Sequence, residues 1–243
     1  MTPKQIEAEQ KAYRRSKPAI LGRGIRRLTN PVGHAIASAI PKSVVETVLK
    51  GIDRATEMRA LGDMSHDPSD FAAARGAARS IERMARTINA GSGAAAGLGG
   101  ALTASADIPA TIALALRNIR DTGRAYGFEG DGTRERLFRL QVLEIAALDD
   151  HDEKIERLDA IEADITAPGD LTPIATKNIE PVVDQVVERV SRAIAFASVR
   201  RRLGMVVPLV GSAVGGFVNA QFQRDVSRAA RYAFQARRLK QLG

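Results

Sequence analysis

Two long stretches almost free of charge constrain this chain more than any other feature. From Thr87 to Leu116, thirty residues carry one charge, Asp107, and from Leu203 to Gln223, twenty-one residues carry none. Five of the ten residues from Gly91 to Gly100 are glycine. Each stretch holds a small-xxx-small spacing, Gly93/Gly97 and Gly211/Gly215. That spacing lets two helix backbones approach closely in lipid or in a dry protein core. Either stretch is long enough to cross a bilayer, where about 20 helical residues suffice. Hydropathy argues otherwise. Between Ile88 and Ala106 the large apolar residues are Ile88, Leu98 and Leu102, and Pro208, Asn219, Gln221 and Gln223 dilute the second stretch. The expected structure is a tightly packed helical hairpin within a core, with contact at a membrane interface as the alternative.

The rest of the chain predicts an all-α fold. No segment alternates with period two between hairpin turns, whereas several carry apolar residues at helical spacing. Residues 1–15 read as a polar, loose helix. Pro41–Met64 places Val44, Val45, Val48, Ile52 and Ala55 on one face. Ser69 or Asp70 can cap a helix through Phe71, Ala74, Ala78, Ile81 and Ala85. A helix from about Pro109 to Tyr126 should end near Gly127, and Arg134–Leu148, apolar nearly all round, should be buried. Asp152–Ile165 carries Ile155, Leu158, Ile161 and Ile165 on one stripe. Glu180-Pro181 opens a helix with Val183, Val186, Val187, Val190 and Ile194. A chain of 243 residues can bury one large core. Residues 1–30 are expected to form a basic, loosely ordered extension, and residues 31–243 a single helical domain.

Charge is distributed unevenly. Residues 1–30 carry +6, residues 31–191 carry −7 and residues 192–243 carry +9. Two basic ends around an acidic body favour an anionic partner. The absence of cysteine excludes disulfides, thiolate metal sites and a cysteine nucleophile. The first twenty residues hold no apolar run of signal-peptide type, so the expected location is the cytoplasm.

Candidate chemistry is sparse. Gly91-x-Gly93-x-x-x-Gly97 lacks the preceding strand that a dinucleotide site needs, and there is no P-loop, GxSxG or HExxH motif. Asp149, Asp150, His151, Asp152 and Glu153 could hold Mg²⁺ or Mn²⁺, but an acidic turn capping and favouring the next helix N-terminus is the preferred reading. Asp107, two residues before Pro109, reads as an N-cap in preference to a functional carboxylate. His34 and His66 sit in loop-like surroundings. The strongest surface signal is basic. Arg224, Arg228, Arg231 and Arg238 recur at helical spacing as one stripe, and Arg200-Arg201-Arg202 abuts the uncharged Leu203–Gln223 segment. Anionic headgroups would attract such clusters. Nucleic acid would use the same charges, yet aromatic content of 4 % without Trp disfavours base stacking.

Two separated motifs resemble the EcsC family. The first is Ala106-Asp107-Ile108-Pro109-Ala110, Ile112 through Arg117 to Arg120, Ala125-Tyr126-Gly127-Phe128 and Arg136-Leu137-Phe138. The second is Val207-Pro208-Leu209-Val210-Gly211, Gly215-Gly216, Val218-Asn219, and Ala230 to Arg237-Arg238-Leu239. The likeness begins after about residue 30. It implies a helical protein with a membrane context, makes Asp107, Pro109, Arg117, Pro208, Gly211, Gly215 and Asn219 its motif positions, and names no substrate or cofactor. The expectation is a non-catalytic, membrane-associated accessory or interaction protein. Its partners would be an anionic membrane surface, a membrane protein or a second copy of itself. The alternatives are an uncharacterised enzyme using Asp107, Arg117 or the 149–153 cluster, and a nonspecific nucleic-acid binder.

Overall fold

The core begins at a cap legible in the sequence. Asp70 Oδ1 accepts the backbone N–H groups of Ala72 at 2.8 Å and Ala73 at 3.3 Å, opening a long helix whose Phe71, Ala74, Ala78, Ile81 and Ala85 are buried. The structure is a computed structural model that describes residues 2–16, 54–55, 57–98, 101–148, 150–174, 181–191 and 211–242, with side chains for all of these except 91–109 and 211–219. Its helices are α1 (Pro3–Arg15), α2 (Phe71–Leu98), α3 (Ala101–Ala125), α4 (Thr133–Ala147), α5 (His151–Ala163), α6 (181–191) and α7 (Gly211–Lys240). Among the described residues no strand forms, beyond an isolated bridge between Ile165 and Leu171. The fold is all-α and one core unites its helices. The Val44–Ile52 face, His34 and Ile194 lie outside the described residues.

α2 packs against α3, which starts eight residues earlier than predicted. It runs through Asp107 and Pro109 in place of starting beside them, so position 107 is not a helix start. A proline inside a helix removes one backbone hydrogen bond. Packing of α3 against both α2 and α7 outweighs that loss, because tertiary packing supplies most helix stability.

α7 is the centre of the domain. Its contacts with α3 run in parallel order. Gln223 Nε2 donates to the Thr111 carbonyl at 3.2 Å, Asn118 Nδ2 donates to Ser227 Oγ at 2.8 Å, and Gln235 Nε2 donates to the Tyr126 hydroxyl at 3.1 Å. α3 passes so close to α7 that a Cβ at Gly123 would lie 2.7 Å from the Phe234 ring. That ring packs between Phe128 and Phe138, with centroids at 5.9 and 5.5 Å. α3 ends at Gly127, whose φ of +85° favours glycine. α4 is buried nearly all round, as its sequence predicts. Its Glu144, buried among α4, α5 and α6, pairs with Arg157 at 3.5 Å and Arg189 at 2.9 Å. On α6, Val186, Val187 and Val190 face the core.

α1 is docked and not loose. Ile6 is fully buried, Glu9 accepts from Arg75 Nε at 2.8 Å, and Arg14 reaches Glu162, Asp159 and the Tyr232 hydroxyl. Lys154 of α5 holds the other end of the helix. Its Nζ donates to the carbonyls of Tyr13 at 3.1 Å and Ser16 at 3.3 Å, completing the helix C-terminus.

This latch has a pH signature. Burial and the neighbouring charge of Arg228 push Lys154 down to about 8, against an ordinary value of 10.5. Between these values the unfolded chain binds a proton that the native state does not, so stability rises with pH. Above about 10 the sign reverses, because burial raises Tyr13 and Tyr232 well above their ordinary range, and Tyr126 to about 12. Urea unfolding should therefore show a gain of roughly 2 kcal/mol from pH 8 to pH 9.5 and a loss beyond pH 10.5. Lys154→Met should remove the rise and keep the fall. A flat profile in the wild type would contradict the buried ammonium.

Candidate functional site

α3 carries two adjacent buried charges. Arg120 and Asp121 are 2 % and 0 % exposed and form an ion pair at 2.9 Å. Arg120 also donates to the carbonyls of Ala55 and Met58, the latter at 2.8 Å, while Asp121 Oδ2 accepts the Leu61 N–H at 2.7 Å. The pair thus pins the segment preceding α2. Arg117, half-buried one turn earlier, has its Nε without a hydrogen-bond partner among the described residues, and burial lowers its pKa. His66 Nε2 lies 2.8 Å from the Ala125 carbonyl, closing the end of α3. These groups act as fasteners of the fold.

A second polar cluster was invisible to motif reading. Asn89, Thr111, Asn118, Gln223 and Ser227 are buried together and bonded to one another across α2, α3 and α7. Gln223, which dilutes the hydropathy of the second uncharged stretch, and Asn89, inside the first, are members of it. Polar groups in a dry helix interface need such partners, and this cluster supplies them.

The acidic cluster resolves as a cap. Asp150 Oδ1 accepts from the backbone N–H groups of Asp152 at 2.8 Å and Glu153 at 3.0 Å, so it starts α5. His151 and Glu153 belong to that helix, and Asp149 lies outside the described residues. Among the described residues no three His, Asp or Glu come together as a metal site.

The expected basic stripe on α7 is broken by the fold. Arg224 is exposed. Arg231, by contrast, is 15 % exposed and pairs with Glu82 of α2 at 2.5 Å. Arg228 stacks over the Tyr13 ring of α1 at 5.4 Å, and Arg238 is half-buried and bonded to Gln241. The reason is coverage. Helices pack against α7 on several sides, so helical spacing alone could not tell an outer face from an inner one. Arg200, Arg201, Arg202 and Pro208 lie outside the described residues, whereas Gly211, Gly215 and Asn219 fall in the first turns of α7.

The topology brings the described parts of the uncharged stretches to one end of the domain. α2 and α3 pack antiparallel and α7 runs parallel to α3, so the end of α2 and the starts of α3 and α7 share an end. Leading to that end, the outer face of α2 exposes Arg79, Arg83, Met84 and Ile88, with Met84 48 % and Ile88 40 % exposed. Residues 83/84 and 87/88 lie one helical turn apart on the same side. Arg224 adds an exposed cation on α7. Among the described residues no helix is long and apolar enough to cross a membrane.

An all-α domain organised on a central C-terminal helix is what these contacts define. The EcsC protein family model matches residues 3–239, and the chain belongs to this family. The match includes α1, so the family domain extends to the N-terminal helix that the motifs did not reach. The chain is similar to Protein EcsC of Bacillus subtilis (strain 168), at 23 % identity over 86 % of this chain and 80 % of that protein. It is also similar to Uncharacterized protein YdbA of the same organism, at 26 % identity over 60 % of this chain and about half (51 %) of that protein's length. No solved structure matches.

Proposed function

We propose that this EcsC-family protein is a non-catalytic accessory or interaction protein that sits on an anionic membrane surface with its uncharged end toward the lipid. The observation that carries this reading is the juxtaposition at that end. Two charge-poor helical segments meet there, exposed Met84 and Ile88 lie on the face of α2 that runs toward them, and exposed Arg79, Arg83 and Arg224 lie farther back along α2 and α7. Apolar side chains would enter the headgroup boundary while each cation near the surface contributes about 1 kcal/mol. Arg200-Arg201-Arg202, next to Leu203 in sequence, would add to the same attraction. Binding of this kind is peripheral and suits the inner face of a cell membrane.

Vesicle flotation tests it. The protein should float with phosphatidylglycerol vesicles at low salt, remain behind with phosphatidylcholine, and be released as salt screens the charges. Reversal of two exposed cations, Arg79→Glu with Arg83→Glu, should weaken vesicle binding by about tenfold or more. Met84→Ser with Ile88→Ser should weaken it without changing the salt dependence. Retention in the soluble fraction on anionic vesicles at low salt would overturn the reading.

A further inference from the structure

α1 docks over α7 without filling the space between them. The cleft that remains has a volume of about 180 Å³ and is lined by Glu9 and Tyr13 of α1 and by Arg228, Arg231, Tyr232 and Gln235 of α7. Most of its polar groups are already engaged. Glu9 is held by Arg75 and by Gln235 at 3.1 Å, Arg231 by Glu82, and the Tyr232 hydroxyl by Glu162 and Arg14. Arg228 is the exception. Among the described residues its one contact of this kind is the Tyr13 ring, and its guanidinium donates no hydrogen bond. The Tyr13 hydroxyl, too, has no hydrogen-bond partner among the described residues. Lys154 lies 4.0 Å from the centroid of the same ring, so two cations share one aromatic face system. Asp225 offsets part of this charge, acting on both Tyr13 and Lys154, while Arg228 and burial still depress Lys154.

We propose that the α1–α7 cleft binds a small soluble anion of the phosphate class, held by the guanidinium of Arg228 with Arg231 and the Tyr13 hydroxyl beside it. A guanidinium fork matches two phosphate oxygens, and half-buried donors without acceptors favour such a ligand. The volume admits a phosphate with a short organic stem. Free phosphate and a lipid phosphate headgroup present the same chemistry to the guanidinium, and inorganic phosphate set against vesicles separates the two sources. Because α1 forms one wall, a bound anion would also tighten the docking of α1.

The protein carries its own reporter, since it has no Trp and three Tyr, two of which line the cleft. Tyrosine emission of the full chain should change saturably with inorganic phosphate at ionic strength held constant with chloride. Arg228→Gln should weaken that apparent affinity by about tenfold, whereas Arg59→Gln, an exposed control, should leave it unchanged. Phosphate should raise the melting temperature of the wild type and not of Arg228→Gln, which also shows that the variant folds. No saturable change in the wild type, or equal losses in both variants, overturns the proposal. A change seen with phosphatidic acid vesicles and absent with inorganic phosphate overturns the soluble ligand in favour of a headgroup. Vesicle flotation of Arg228→Gln reads the membrane surface separately, so either proposal can fail alone.

Discussion

Asp121→Ala should lower the unfolding free energy by about 3–5 kcal/mol, the effect of removing one partner from a buried ion pair. The magnitude follows from what remains behind. Arg120, 2 % exposed, would keep its charge in the interior and lose the carboxylate that its Nε now donates to, and the Leu61 N–H would lose its acceptor. Arg124, 3.9 Å from the same carboxylate, would lose a weaker attraction. Asp121→Asn should fall between, because an amide oxygen can still accept from Leu61 but cannot balance a guanidinium. Urea denaturation checks the order, with Arg117→Gln as the comparison: Arg117 is half-buried and forms no such pair among the described residues, so its replacement should cost less than about 1 kcal/mol. A loss under 1 kcal/mol for Asp121→Ala would show that water reaches the pair.

Arg237→Lys should destabilise the protein by roughly 2–3 kcal/mol although charge is conserved. Arg237 is 3 % exposed and grips Glu135 of α4 with both terminal nitrogens, at 2.8 and 2.9 Å, while its Nε donates to the Gly169 carbonyl at 2.9 Å. Its plane also lies 4.0 Å from the centroid of Phe128 and 5.1 Å from that of Phe138. One side chain thereby fastens the end of α7 to α4, to the loop after α5 and to the Phe234 cluster. Lysine supplies a point charge without the fork or the planar face. Thermal unfolding of Arg237→Lys beside Arg238→Lys discriminates the two adjacent arginines. Arg238, bonded to its helical neighbour Gln241, should respond little. Equal shifts for the two would mean that the Arg237 fork contributes nothing beyond its charge.

These two arginines illustrate where reading the chain stops. Arg237 and Arg238 are adjacent and chemically identical, and helical periodicity does not say that the first is buried against two phenylalanine rings. The same holds for Arg224 and Arg231, seven residues apart and nominally on one face, of which one is exposed and the other is paired with Glu82. Burial of an arginine depends on a carboxylate delivered by another helix. Arg231 and Glu82 are 149 residues apart, and Arg14 and Asp159 are 145 apart. No local pattern carries that information. The docking of α1 escaped for the same reason, since its attachments are mainly polar and its buried apolar anchors are few.

Local physics, by contrast, is written in adjacent residues. Asp70 and Asp150 stand where a cap can receive two backbone N–H groups, and both do so. The apolar circumference of Arg134–Leu148 led directly to a buried helix, and the valines of 181–191 followed their helical spacing over their strand preference. The all-α class was therefore decided by periodicity, caps and chain breakers, each acting within a few residues. The start of α3 ahead of Pro109, the buried fasteners at Arg120, Asp121 and Arg237, and the cleft beneath α1 were decided in three dimensions. There the strength of a charge or a polar group depends on which distant partner excludes water beside it, and the fold alone chooses that partner.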